Sequence, residues 1–140
     1  EMCIRDSIGM SRIVTYLINR TNYDKVVRSR QNNFKYLHSK LEQLDGPYKL
    51  WSEGLLEEVC PLFYPLYLES GTKNFVERLR RYGIGAGDWW RNLDRSQQGE
   101  FINSQETQAK YAALPIHQSM NKKDIDTMVE AISIILELPS

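Results

Sequence analysis

The segment LPIHQSMNKKDID, residues 114–126, decides how the end of this chain folds. A short apolar run ends at His117. Asn121 lies three residues before Asp124, and this spacing is typical of a pair of side chains that caps the start of a helix. Residues 121–136 then repeat apolar side chains at helical spacing, on one face: Ile125, Met128, Val129, Ile132, Ile135 and Leu136. The pattern predicts a strand, a tight connection and a final helix, with His117 between them.

Three more helices are predicted upstream from the same kind of spacing. Residues 11–20 form a short amphipathic helix capped by Ser11, and residues 71–82 form another that stops at Gly83. Between Thr21 and the Gly-Pro pair at 46–47, residues 22–44 predict one long helix. At roughly 1.5 Å per residue it would span about 33 Å. A helix of that length is typical of a connection that runs along or between domains.

The remaining pattern indicates a small sheet. Strands are predicted at residues 48–51, 59–68, 84–90 and 114–117, with one further short helix at 104–113. Pro61 and Pro65 interrupt the second strand, and proline cannot donate to a sheet ladder, so this strand is expected at an edge or with a bulge. The predicted class is α+β: a small, largely antiparallel sheet of three to four strands packed with helices and preceded by a long connecting helix.

Composition excludes several kinds of partner. The chain has 140 residues, which is enough for one domain. Its 18 basic and 18 acidic side chains balance, so no net positive charge attracts nucleic acid or an anionic membrane. No apolar run approaches the roughly 20 residues of a membrane helix. Cys3 and Cys60 have neither metal-ligand spacing nor a disulfide pattern. We expect no membrane, no nucleic acid, no metal, and a cytoplasmic location.

Few residues could carry chemistry. The chain has two histidines, His38 and His117, and His38 is predicted to be a solvated residue on the long helix. No phosphate-binding loop is present, and the glycines at 84–87 do not follow the dinucleotide fingerprint. No catalytic and no cofactor-binding residue is therefore predicted in this chain.

Two segments could bind a ligand instead. Trp89, Trp90 and Arg91 could stack a sugar or a base, although paired tryptophans are also ordinary core anchors. The basic residues 78–82 could touch phosphate or simply end a helix with cations. His117 precedes a helix N-terminus, where polar ligands are favoured, although it could also be an ordinary histidine that is satisfied within a turn. The candidate pocket edge consists of Trp89, Trp90, Arg91, His117 and Gln118.

The order of these pieces resembles the carboxy-terminal small domain of the DegT/DnrJ-type sugar aminotransferases, pyridoxal-phosphate enzymes of fold type I. The matching segments are RSRQNNFKYLHSKL at 28–41, FYPLYL at 63–68, LRRYGIGAGDWW at 79–90 and ALPIHQSMNKKDIDTMVEAI at 113–132. The resemblance covers roughly residues 11–138. Each segment is moderately specific, and their order and spacing together are much more so.

This resemblance implies an enzyme that transfers an amino group, usually from glutamate, to a keto sugar attached to a nucleotide. Its pyridoxal phosphate, lysine and phosphate nest belong to a large domain upstream, and the enzymes are typically homodimers. It further implies that His117 and Gln118 face the cleft between domains, with Trp89, Trp90 and Arg91 nearby on the substrate side. Some relatives have aspartate at the histidine position.

The implied organisation has three parts. Residues 1–7, EMCIRDS, are predicted to be a non-native leader, residues 8–45 to connect from a missing large domain, and residues 46–140 to form the small domain. The apolar face of residues 11–20 is then expected to pack against that missing domain, and the chain alone to be inactive. Two alternatives stay open: a stand-alone module that binds carbohydrate or protein, and a related dehydratase in which another residue replaces the cofactor lysine.

Overall fold

The computed structural model describes residues 10–50, 54–69, 71–88 and 110–137. In chain order the elements are α1 (Arg12–Arg20), α2 (Tyr23–Leu41), β1 (Tyr48–Lys49), β2 (Phe63–Leu68), α3 (Lys73–Arg81), β3 (Tyr111–Pro115) and α4 (Lys122–Glu137). The strands form one antiparallel sheet in the order β1-β2-β3. The predicted α+β class, with a small antiparallel sheet and a long preceding helix, is confirmed.

The core lies on one face of the sheet. Alternate residues of β2 are fully or almost fully buried, and α2, α3 and α4 pack against them with their apolar lines. The largest buried side chains of this core are Tyr64, Leu37, Leu41, Leu66, Leu68, Leu79, Leu114, Ile116, Ile125, Met128 and Ile132. The helices are therefore held by apolar burial rather than by propensity alone.

Pro65 lies in the central strand of the sheet, so the edge position predicted for this strand is wrong. The central position is tolerated for two reasons. Among the described residues, β1 pairs only with Tyr67 and Leu68 of β2, and no residue of β1 lies opposite Pro65. On the other side, Ala113 exchanges both of its main-chain hydrogen bonds with Gly87, so its pairing with Pro65 needs no amide hydrogen.

Two boundaries in the last third of the chain were predicted wrongly. The helix expected over 104–113 is a strand at Tyr111, Ala112 and Ala113, because Ala112 and Leu114, two residues further on, are buried against β2. Residues 104–109 lie outside the described ranges. This strand ends at Pro115, two residues before the predicted end at His117.

Other predicted strands are shorter than expected. Within 84–88, the described part of a predicted strand, only one isolated bridge forms, between Gly87 and Ala113. Residues 59–62 are not extended into β2, since their carbonyl groups bind side chains of α2 instead. Helix α2 stops at Leu41, and Trp51 lies outside the described residues.

The predicted helix ends at Ser11, Asn121 and Gly83 are confirmed, whereas the predicted end of the long helix at residue 44 is wrong. The Ser11 hydroxyl accepts from the Val14 amide at 3.2 Å. Asn121 and Asp124 each accept from the other's amide, at 3.2 and 2.8 Å, which is a complete capping box. Gly83 ends α3 with a φ of 78°, a conformation in which a Cβ would be strained.

Helix α1 differs from the other helices because none of its residues is buried. Its apolar side chains remain open to solvent: Ile13 is 73% exposed, Leu17 58% and Val14 42%. An amphipathic helix normally gains its stability by burying such a face. Within the described ranges, no helix combines the length and apolar character needed to cross a bilayer.

A polar contact joins the exposed edges of α2 and α4. The Tyr36 hydroxyl donates to Asp126 at 2.8 Å, and Lys40 lies 3.3 Å from the same oxygen. The bond from Tyr36, with smaller help from Lys40, lowers the pKa of Asp126, while Asp126 raises the pKa of Lys40. Both groups therefore stay ionised near neutral pH.

We expect Asp126→Asn to lower the free energy of unfolding at neutral pH, and this loss to shrink in acid. A carboxylate whose folded pKa lies below the ordinary 3.8 contributes stability above that value, and the contribution disappears as pH falls through the folded pKa. Urea unfolding of both proteins, from neutral pH downward, measures the difference. Glu130→Gln, an exposed site on the same helix, is the control. A difference that widens in acid would contradict the assignment.

Gly46 lies in the turn that carries the chain from α2 to β1. A Cβ there would come within 2.5 Å of the Tyr48 ring and 2.8 Å of a Leu136 methyl. The ring cannot easily move aside, because its hydroxyl donates to the carbonyls of Leu41 and Leu44. Only glycine fits without displacing these groups.

Gly46→Ala is therefore expected to lower the free energy of unfolding by about 1–3 kcal/mol, as overpacking does. At Gly85 an added Cβ would meet nothing within 4 Å, so Gly85→Ala is the matched control and should cause no loss. Chemical denaturation followed by tryptophan fluorescence measures both. Equal stability of the two variants would show that the turn relaxes.

Candidate functional site

His117 and Gln118 lie in the connection between β3 and α4. His117 is exposed, and its Nδ1 lies 2.7 Å from the hydroxyl of Ser119 and 3.3 Å from the Ser119 amide nitrogen. The carbonyl of His117 accepts from the amide of Met120 at 3.0 Å, which closes the turn. Because the Ser119 amide donates to Nδ1, the neutral ring carries its proton on Nε2. Nε2 has no hydrogen-bond partner among the described residues.

Asn33 of α2 holds this turn from below. Its side chain is 9% exposed, and its amide nitrogen donates to the carbonyls of His117 at 2.9 Å and Met120 at 3.4 Å. These bonds add to the one that the His117 carbonyl accepts from the Met120 amide, so Asn33 ties an already closed turn to α2.

Arg30, one helical turn earlier on α2, contacts two different loops. Its Nε donates to the Gln118 side chain at 2.9 Å, and its Nη1 donates to the carbonyls of Pro61 and Leu62 at 3.2 and 3.3 Å. The planar guanidinium offers several donors in fixed directions, which lets one side chain join two segments. Among the described residues no carboxylate forms an ion pair with it. The cation is bound by neutral oxygens.

Gln31 extends the same arrangement. Its amide nitrogen donates to the carbonyls of Glu57 at 2.7 Å and Val59 at 3.0 Å. We call Arg30, Gln31 and Asn33 the polar clamp, and the two segments that they hold, 57–62 and 117–120, the rim. Seven hydrogen bonds run from the clamp to the rim, and every donor is on α2.

The rim also exposes apolar and thiol groups. Leu56, just before it, is 72% exposed, Leu62 is 62% exposed, and Val59 40%. Cys60 is a free, exposed thiol. Together with His117, these side chains give the rim a mixed polar and apolar surface beside the guanidinium of Arg30.

The predicted pocket edge is described only in part. His117 and Gln118 share one turn, but the Gln118 oxygen is turned to Arg30. Trp89, Trp90 and Arg91 lie outside the described residues, and their meeting with the histidine stays a prediction.

Two other sequence interpretations change with the structure. His38 was predicted to be solvated, which is wrong: it is partly buried, with Nδ1 2.7 Å from the hydroxyl of the buried Tyr64 and Nε2 3.4 Å from Glu42. In the basic segment 78–82, Arg80 pairs with Asp88 at 3.0 Å and donates to the Ala86 carbonyl. Arg80 is thus bound by groups of this chain, although half of its side chain stays exposed.

Sequence reasoning missed the clamp and the segment 57–62. The signal was present in the order of residues on α2: Arg30 and Asn33 fall beside the buried Phe34 and Leu37, on a side of the helix that faces the protein. Polar side chains in such positions need partners, and irregular segments supply carbonyl groups. The sequence does not reveal which segments those are.

The described residues offer no cofactor or metal centre. They contain no group of three or more histidine, cysteine or acidic side chains that could hold a metal ion. No lysine whose side chain is described is buried, and Lys40 is held protonated by Asp126. A covalent bond to pyridoxal phosphate needs a lysine of lowered pKa in a desolvated pocket. The described lysines do not fit that group.

No family model matches this chain, and no curated protein matches it in sequence. Solved structures do match its fold. The sugar aminotransferase CalS13 from Micromonospora echinospora has a TM-score of 0.65 at 20% identity, over 87% of this chain and 33% of that protein. The aminotransferase TlmJ from Streptoalloteichus hindustanus has a TM-score of 0.71 at 17% identity, over 87% of this chain and 34% of that protein.

A DegT DnrJ EryC1 StrS aminotransferase from Brucella abortus is similar too, with a TM-score of 0.64 at 13% identity, over 90% of this chain and 35% of that protein. This chain thus spans about a third of the length of the structures that it matches. It has the fold of one part of the sugar aminotransferases of this type. The resemblance predicted from the sequence is confirmed at that level.

We expect Asn33→Asp to lower the free energy of unfolding by about 2–4 kcal/mol at neutral pH. A buried carboxylate would face the two carbonyl oxygens and could not donate a hydrogen bond to either of them. Asn32→Asp makes the same chemical change at the exposed neighbouring residue and should cost less than about 0.5 kcal/mol. The deficit of Asn33→Asp should shrink in acid, where the neutral carboxyl can donate. Urea unfolding across pH measures both, and equal losses at the two sites would contradict the clamp.

Proposed function

We propose that this chain is the carboxy-terminal part of a pyridoxal-phosphate-dependent aminotransferase that acts on a nucleotide-linked keto sugar in the cytoplasm. In this proposal residues 46–140 form the small domain and residues 8–45 connect it to a large domain. The chain contributes the small-domain wall of the cleft and does not carry the cofactor lysine. By itself it is inactive.

One observation carries the proposal: the described fold matches about a third of several sugar aminotransferases over most of this chain. The sequence segments that suggested the family stand in the same order as the elements of that fold. The helix RSRQNNFKYLHSKL is α2, FYPLYL is β2, and the last segment covers β3 and the start of α4. The order of the sequence segments and the fold therefore support the same family.

The exposed face of α1 supports the division into domains. Ile13, Leu17 and Val14 are too exposed to stabilise a free helix of nine residues, which is short for independent stability in water. A large domain of the same polypeptide would cover this face. We propose that it does, and that the full-length protein is a homodimer.

The rim is the proposed substrate side of the chain. His117 offers a ring nitrogen that has no partner among the described residues, and Leu62 and Val59, on the other segment of the rim, offer apolar surface. Nucleotide sugars combine polar hydroxyl groups with flat or apolar faces, which such a surface suits. Trp89, Trp90 and Arg91 remain proposed members of this wall.

In this proposal the cofactor is held by the large domain, and the exposure of the described lysines agrees with that. When bound, pyridoxal phosphate supplies the electron sink for amino-group transfer. The residues of this chain would bind and orient the sugar.

The reading frame that contains this chain tests the proposal. We expect the segment that precedes residue 8 to encode a large domain of about twice this length with a cofactor lysine. The purified longer protein should show the absorbance of bound pyridoxal phosphate and transfer an amino group from glutamate to a nucleotide-linked keto sugar. A residue other than lysine at the cofactor position, with loss of water from the sugar, would indicate the dehydratase instead.

Two results would contradict the proposal. One is a frame without such a domain, together with a cooperative, monomeric 140-residue chain that binds free carbohydrate; this is the behaviour of a stand-alone module. The other is cofactor binding by the 140-residue chain itself. Size-exclusion chromatography and a hydrophobic dye measure the state of the chain, since the exposed face of α1 should cause self-association.

A further inference from the structure

Helix α2 joins two loops that are far apart in sequence. Segment 57–62 precedes β2 and segment 117–120 follows β3, and about 60 residues separate them along the chain. Arg30 is the one side chain of the polar clamp that donates to both segments. Gln31 donates only to segment 57–62, and Asn33 donates only to segment 117–120.

The contact between Arg30 and Gln118 differs from the others in kind. The remaining six bonds of the clamp go to main-chain carbonyls, which fix where a loop lies. The bond from Nε goes to a side chain, at 2.9 Å, and therefore fixes where that side chain points. With its oxygen held by a cation, Gln118 presents its amide hydrogens away from Arg30. A hydrogen bond from a charged donor is stronger than one between neutral groups.

We propose that Arg30 is a positioning residue for sugar binding: it orients the Gln118 side chain as a hydrogen-bond donor on the rim and holds segment 57–62 beside it. This inference rests on the proposed function and deepens it. Arg30 is not proposed to touch the sugar. It acts through Gln118 and through the carbonyls of Pro61 and Leu62.

Lysine cannot take over this arrangement. A single ammonium group reaches one of the two loops, whereas the guanidinium presents Nε and Nη1 to both at the same time. Methionine keeps the bulk of the arginine side chain and removes every donor. Arg28, on an exposed site of the same helix, gives the matched control.

The first experiment tests the clamp without any enzyme activity. A nitroxide label on Cys60, in a Cys3→Ser background, lies next to the two carbonyls that accept from Arg30. We expect faster label motion in Arg30→Met and unchanged motion in Arg28→Met. Gln118→Met removes only the Nε partner and should leave the label unchanged. Label motion that is the same in all three variants overturns the proposal, whatever the enzyme does.

The second experiment uses the longer protein with its cofactor. We expect Arg30→Met and Gln118→Met each to raise the KM for the keto sugar roughly tenfold, with the absorbance of the bound cofactor unchanged. The double variant should be no worse than either single variant, because Arg30 acts on the sugar through Gln118. Arg30→Lys should recover only part of the loss, and Arg28→Met should change nothing.

The outcomes separate the two proposals. If the longer protein binds no cofactor and transfers no amino group, the proposed function fails. The label experiment still tests whether Arg30 holds segment 57–62. If the enzyme is active and the KM effects of Arg30→Met and Gln118→Met multiply, the residues act separately and the positioning role is overturned. Thermal unfolding of Arg30→Met and of the unsubstituted protein is compared as well. If the two melting temperatures agree, a changed KM does not come from unfolding.

Discussion

The hydrogen bonds that α2 donates to the carbonyl groups of two loops are the constraint on which the rim depends. Irregular segments pair fewer of their own main-chain groups than helices and sheets do, and a partly buried carbonyl without a donor is costly. Arg30, Gln31 and Asn33 supply those donors from one helix. The shape of the candidate site is thus encoded on α2, far from the residues that form its surface.

The same helix supports the core. Phe34, Leu37 and Leu41 are buried against the sheet and α4, next to the polar side chains of the clamp. One helix therefore carries two adjoining rows of side chains. One row is apolar and buried, and the other donates hydrogen bonds. Because the apolar row fixes the position of α2, the donors are already in place before any ligand binds.

The sequence predicted those parts of the fold that depend on local patterns. Helix periodicity and caps located α1, α2, α3 and α4, since Ser11, Asn121 and Gly83 act through bonds to residues close in sequence. Strands were predicted less well. Residues 111–113 look helical by composition, and only pairing with β2 makes them a strand.

The candidate site was predicted in the same uneven way. His117 and Gln118 could be selected because they stand between a strand and a capped helix. Arg30 could not be selected, because its hydrogen-bond partners lie 31, 32 and 88 residues away in the sequence. No local sequence pattern identifies them. His38 was misjudged for a similar reason: its partner Tyr64 belongs to another element.

Pro65 has a consequence for how the protein avoids association through its sheet. Strand edges whose amide groups are open are templates for intermolecular β-pairing and fibril growth. Pro65 has no amide hydrogen, so on the side of β2 that faces β1 it offers one donor fewer to any strand, whether from this chain or from another. The ring that a central strand would usually reject therefore weakens β-pairing with a second molecule at this position.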